Sequence, residues 1–211
     1  NPAEMIGDKP SPLAISLYKE LITNFVWSKQ RYEYGYKNCN SNVLMFDFLG
    51  SPYIDLRTDL NSFLPFKLDK IISNKAINYY IKKIKERKHL HDKIEFEVIE
   101  TCYTPDTNKK LRKFLNKRDA LKYTSFLRDI TNNIINNDLL EKDISKIEIF
   151  EIELNKINDS NYASIEKIYK YVNLIKEYGS LPFAGIARCA FISKTILDYL
   201  MNKKLLSKND Y

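Results

Sequence analysis

The sequence predicts an α+β domain that is mostly α-helical, a helical bundle carrying a small antiparallel β-sheet. Three observations lead there. Apolar residues recur at three-to-four spacing over most of the chain, the period of helices with one buried face. Period-two alternation is strongest in two short stretches, one around 43–57 and one over 94–100. The composition, 44% apolar and 29% charged over 211 residues, is that of an ordinary soluble globular domain.

Taken in order, Asp8 to Pro12 is a loop, with Ser11 as a helix cap and Pro12 at the first helical position. Leu13, Leu17, Leu21, Phe25 and Trp27 carry that helix to about Tyr34, and Gly35 stops it among tyrosines. Val43–Leu49 and Tyr53–Arg57 read as two strands joined through Gly50 and Pro52, a hairpin or bulged corner. Asn61–Phe66 is a turn that buries Phe63 and Phe66, and Ile71, Ile72, Ile77, Tyr80, Ile81 and Ile84 mark a helix from about Leu68 to Arg87. Ile94–Glu100 alternates as a third strand with an acidic edge of Glu95, Glu97 and Glu100. Helices then run almost to the end. One carries Leu111 to Ile134, and one starts at a capping box of Asp138 and Glu141, with a partial strand pattern over 147–154 as the lesser alternative. The next is capped by Ser160 and stopped by Gly179, and the last is opened by Ser180 and Pro182. Small residues Ala184, Gly185, Ala187 and Ala190 let this last helix approach a neighbour closely, and Arg188 interrupts their face, where it needs a carboxylate or an outlet to the surface.

The stretch from Gly50 to Pro65 holds the densest polar chemistry. As a strand it sets Ile54, Leu56 and Leu60 on one face and Tyr53, Asp55, Arg57 and Asp59 on the other, with Asn61 and Ser62 where it ends. A guanidinium between two carboxylates is either a self-neutralising exposed face or a polar site in which Arg57 forks onto a carboxylate or phosphate. Arg31, Tyr36 and Arg188 are secondary candidates for the same site.

Three segments carry a resemblance. Gly50-Ser-Pro-Tyr-Ile-Asp-Leu-Arg57 with Asn61-Ser-Phe-Leu-Pro65 is similar to the central region of phosphoenolpyruvate-synthase-like phosphotransferases, in particular the L-glutamine kinases of capsule biosynthesis. Asn1–Gly7 with Pro12–Thr23 resembles the start of that region, and Leu181–Ile192 resembles the helix that ends it. The resemblance implies that residues 1–211 are one acceptor-binding domain, a fragment of a longer enzyme with an ATP-grasp region before it and a swivelling phosphohistidine domain after it. It implies ATP and Mg for the whole enzyme, no cofactor and no catalytic residue in this fragment, and a small acceptor such as L-glutamine. An amino-acid zwitterion needs one cationic and one anionic reader, which Asp55, Arg57 and Asp59 would supply. These marks concern recognition rather than catalysis.

Composition narrows the field further. No glycine-rich phosphate loop of either common pattern occurs, and glycines number only five. Cys39, Cys102 and Cys189 are widely spaced without a C-x-x-C, as expected of reduced thiols in a cytoplasmic protein. His89 and His91 read as a loop pair rather than metal ligands, and no metal site is expected. No apolar run of about 18 residues is legible, so no membrane partner is expected. The net charge of +7 raises an alternative from another class, a basic helical module binding nucleic acid or a protein. Its lysines are scattered along solvated helix faces, so nucleic acid is not an expected partner.

Overall fold

The computed structural model describes residues 2–207. It is mostly helical, with one two-stranded antiparallel sheet. Helix α1 (Pro2–Ile6) ends at Gly7, whose φ of +87° turns the chain toward α2 (Pro12–Tyr18). Ser11 caps α2 as its sequence indicates, its Oγ accepting the Ala14 amide at 3.2 Å. The expected single helix to Tyr34 is in two pieces. A π turn over Lys19–Thr23 widens it, and Phe25 at φ −142° breaks it before α3 (Val26–Glu33). Gly35, at φ +98°, makes the stop, with Ile130 packed so close that a Cβ there would lie 3.0 Å from its side chain.

The hairpin forms from β1 (Met45–Phe48) and β2 (Ser51–Ile54), with Met45 opposite Ile54 and Phe48 opposite Ser51. Strand β2 stops three residues short of the expected Arg57. Asp55 accepts the Thr58 amide at 2.5 Å and caps α4 (Leu56–Ser62), and this local bond offers the backbone a helix start in place of a ladder. The period-two face of Tyr53, Asp55, Arg57 and Asp59 therefore does not exist. Phe63 is buried as expected, but Phe66 is 55% exposed and edges against the Tyr32 ring. Helix α5 (Lys70–Glu86) is capped by Asp69, which accepts the Ile72 amide at 2.9 Å.

Ile94–Val98 is a π turn, not a third strand. Among the described residues no strand pairs with it, so its amides turn back on their own segment, from Glu97 to the Lys93 carbonyl and from Ile99 to that of Ile94. The expected long helix from Leu111 is divided into α6 (Thr107–Leu111) and α7 (Lys117–Asn136), because Asn116 caps the latter through the Asp119 amide. Helix α8 (Leu139–Asn158) leaves no strand at 147–154. Asp138 precedes it at φ +52° and makes no side-chain cap, so the capping box is absent. Ser160 bonds back to the Ile157 carbonyl, and Ala163 occupies the cap position of α9 (Ser164–Leu174).

Gly179 does not stop the chain. A π turn over Ile175–Ser180 joins α9 to α10 (Leu181–Asn202), and its wider winding accommodates Pro182, which has no amide to donate. Ser164–Asn202 is thus one continuous helix, and it contains an 18-residue window of mean hydropathy 1.2. That passes for a membrane span by length and composition alone, a test that core helices also pass, and 33% of the window is buried within the protein.

The main core lies between α4, α5 and α7. Leu60, Leu64, Ala76, Leu111, Tyr123 and Leu127 are wholly buried there, and each large aliphatic side chain contributes about 1.5–3 kcal/mol relative to exposure. Helix α10 packs along α8 at Gly185, where a Cβ would lie 1.8 Å from Asp143 Oδ2 and 2.7 Å from the Tyr34 hydroxyl. The small-residue expectation for α10 holds there. Asp143 is a buried carboxylate that accepts the Tyr34 hydroxyl at 2.7 Å. Burial and that carboxylate both push the Tyr34 phenol well above its ordinary range.

Candidate functional site

A cleft of about 850 Å³ opens between the N-terminal helices, the hairpin and the segment from His91 to Phe96. Strand β2 supplies Ser51, Pro52, Tyr53 and Ile54, and α4 with the turn after it supplies Leu56, Asp59 and Phe63. Pro2, Ala3 and Asp8 come from the amino-terminal end, Tyr18, Ile22, Thr23, Trp27 and Arg31 from the first long helical stretch, and Phe191 from α10. The volume lies within the range of small-molecule sites, and the lining combines aromatic and aliphatic walls with charged and hydroxyl side chains.

The polar centre is an ion pair. Arg31 Nη1 lies 2.8 Å from Asp59 Oδ1, with side-chain exposures of 14% and 13%, and it also donates to Ser62 Oγ. Its guanidinium rests on the Phe63 ring, 3.6 Å from the centroid, and 5.3 Å from that of Trp27. Cation–π contacts of this desolvated kind contribute about 1–2 kcal/mol and hold the fork in one plane. A second arginine stands behind the wall. Arg188 is 4% exposed, its Cζ lies 4.8 Å from the Phe63 centroid and 5.5 Å from that of Tyr36, and its Nη1 is 2.5 Å from Glu95 Oε1. The two charges touch without the alignment of a hydrogen bond, and Arg188 Nε and Nη1 and Glu95 Oε1 are left without one. The structural ion pair expected of Arg188 is thus present, with Glu95 as the carboxylate.

Of the seven sequence-predicted site residues, Arg31 and Asp59 line the cleft. Tyr36 and Arg188 support its floor through Phe63, Tyr36 being wholly buried with its hydroxyl donating to the Thr101 carbonyl at 2.7 Å. Burial raises the Tyr36 phenol well above its usual range, so it acts as a fixed donor. The other three lie outside. Asp55 is spent on the α4 cap. Asn61 turns its amide toward Cys39 Sγ at 3.5 Å. Arg57, the leading candidate, projects from the exposed side of α4 to Asn78 Oδ1 at 3.1 Å, because helical winding puts it almost opposite Asp59.

Sequence reasoning missed Trp27, Thr23 and Phe63 as site residues. Trp27 was legible in one respect, as the only tryptophan in the chain. Trp27 and Thr23 are 6% and 4% exposed, and Trp27 Nε1 and Thr23 Oγ1 have no hydrogen-bond partner. His89 and His91 lie in and beside a 3₁₀ turn (Lys88–Leu90), and His91 Nδ1 is 2.9 Å from the Lys88 carbonyl. Among the described residues no group of three or more histidine, cysteine or acidic side chains is arranged to hold a metal ion. A shallower depression of about 300 Å³ lies by Lys37 and Lys70, where Lys37 is engaged with Ser73 Oγ at 2.7 Å.

Comparisons of the chain with protein-family models, with curated proteins and with solved structures found no match.

Proposed function

We propose that this chain is the acceptor-binding domain of a multidomain, ATP-dependent phosphotransferase of the phosphoenolpyruvate-synthase-like class, and that the 850 Å³ cleft is its acceptor site. One observation carries the reading. The three segments that resemble such enzymes are scattered over the sequence, yet each contributes to this one cleft. Pro2, Tyr18 and Thr23 come from the first, Tyr53, Leu56 and Phe63 from the second, and Phe191 from the third, with Arg188 behind it. Segments that resemble a family for reasons of backbone packing alone have no need to meet around a void.

On this reading phosphate comes from ATP with Mg, through a histidine on a neighbouring domain, and this chain binds and orients the acceptor. It needs no phosphate-cradling loop of its own. L-glutamine is the acceptor the resemblance favours. The reading assigns Arg31 and Asp59 to the site and withdraws the Asp55–Arg57 pair from it.

The test uses the chain's single tryptophan, which lines the cleft. Titration of L-glutamine should change Trp27 emission saturably, with the same affinity by calorimetry, and Asp59→Asn should weaken it. A Trp27→Phe protein should still saturate by calorimetry, with weaker affinity because the indole N–H in the cleft wall is gone. Heat and emission both flat to millimolar L-glutamine would remove this acceptor.

A further inference from the structure

We infer that the cleft grips its ligand by a protonated amine, and that it reads this cation rather than a carboxylate. The inference deepens the acceptor reading and rests on it. The chain carries 34 lysines and arginines against 27 acidic residues, so a randomly placed cleft would show a slight excess of cations. This lining is the reverse. Asp8, Asp59, Asp92 and Glu95 are present, Arg31 is the only guanidinium, His91 is the one histidine, and among the described residues no lysine contributes.

Neither arginine is available to an anion. Arg31 is committed to Asp59 and Ser62 and lies flat on Phe63. Arg188 is sealed against Phe63, Tyr36 and Glu95 and does not line the cleft. A ligand carboxylate would have to displace Asp59 from Arg31, exchanging one buried pair for another with no net gain. An ammonium group meets the opposite situation. Asp8 and Asp92 are exposed at the rim, Asp59 and Glu95 lie deeper with lone pairs left over, and the rings of Tyr18, Trp27, Tyr53 and Phe96 line the path between. Aromatic faces backed by carboxylates are the chemistry that holds organic ammonium ions.

A second, independent feature points to a ligand. Thr23 Oγ1 and Trp27 Nε1, on two side chains more than nine-tenths buried in the cleft wall, have no partner within the protein. A hydroxyl and an indole N–H left unpaired cost about 1–3 kcal/mol each unless something else satisfies them. They suit a neutral polar group on the ligand, such as an amide or hydroxyl, once its amine is placed.

The experiment compares three probes on the whole chain by Trp27 emission and calorimetry: L-glutamine, L-glutamine with its carboxylate capped as the amide, and N-acetyl-L-glutamine. The capped cation is expected to bind at least as tightly as L-glutamine, and the acetylated anion at least tenfold more weakly. The rim variant Asp8→Asn with Asp92→Asn, which touches no core contact, should weaken both amines about threefold. It should leave the acetylated probe unchanged or improved. Equal affinity for the acetylated probe would overturn the inference while leaving the cleft as the acceptor site, and so would a rim variant indistinguishable from wild type. Silence toward all three probes would remove L-glutamine as the acceptor, and the inference with it.

Discussion

Removing one member of the Arg188–Glu95 pair should hurt far more than removing the other. Glu95→Gln leaves a guanidinium that is 4% exposed with no counter-ion, two of whose nitrogens already lack hydrogen bonds. An uncompensated buried charge of this kind costs about 3–5 kcal/mol. Arg188→Met keeps the volume against Phe63 and Tyr36 and abolishes those two unsatisfied donors. It leaves Glu95, whose side chain is 19% exposed and lines the cleft, able to take its charge to water. Its cost is the lost cation–π and Coulomb attraction less the relieved desolvation, about 1–2 kcal/mol. For a chain of this length each kcal/mol moves the melting temperature by about 2–4 °C. Thermal melts should therefore fall by about 6–20 °C for Glu95→Gln and about 2–8 °C for Arg188→Met. The double variant should lie close to Arg188→Met, because the second change then removes nothing further that was paired. Arg188→Met melting lower than Glu95→Gln would refute the reasoning, showing that the guanidinium stabilises by contacts other than this carboxylate.

Three further outcomes are expected. Gly185→Ala would set a Cβ 1.8 Å from Asp143 Oδ2, so urea unfolding should show a loss of about 1–3 kcal/mol that shrinks when Asp143→Ala is added. Arg57→Ala should leave stability within about 0.5 kcal/mol and ligand affinity unchanged in calorimetry, since Arg57 is exposed and touches only Asn78. The Ile72 amide, and Lys122 after it, hold the Asp69 carboxyl below the usual range. Its stabilisation is accordingly full above the unfolded value and is lost as pH falls through the lowered folded one. Melts of wild type and Asp69→Ala should differ at neutral pH and converge in acid, whereas Asp69→Asn should keep part of the difference at both ends.

The helices were legible because their apolar spacing is a local property, and so were Ser11, Gly35 and the hairpin. Failures cluster where a single side chain outbids a pattern. Asp55 turned a strand into a helix start through one hydrogen bond, and that displaced Arg57 from the site built around it. Ile94–Val98 has a strand's alternation and no strand to pair with. At the cleft, Arg31 and Asp59 were each visible, but a pairing across 28 residues depends on where α3 and α4 cross. The apolar stripe of α9 is present, but Ile165, Ile168 and Tyr169 on it are all more than half exposed. Periodicity defines a face without naming what covers it.

The π turn that joins α9 to α10 bears on that stripe. A turn closed by i→i+5 bonds holds one residue more than an α-helical turn, so everything before it is rotated by about 100° relative to a regular continuation. Deleting one residue between Ile175 and Ser180 would restore regular winding and swing the α9 stripe by that angle about the helix axis. The orientation of Ile165, Ile168 and Tyr169 is therefore a matter of helical phase, adjustable by one residue while α10 keeps its seat on Asp143 and Glu95.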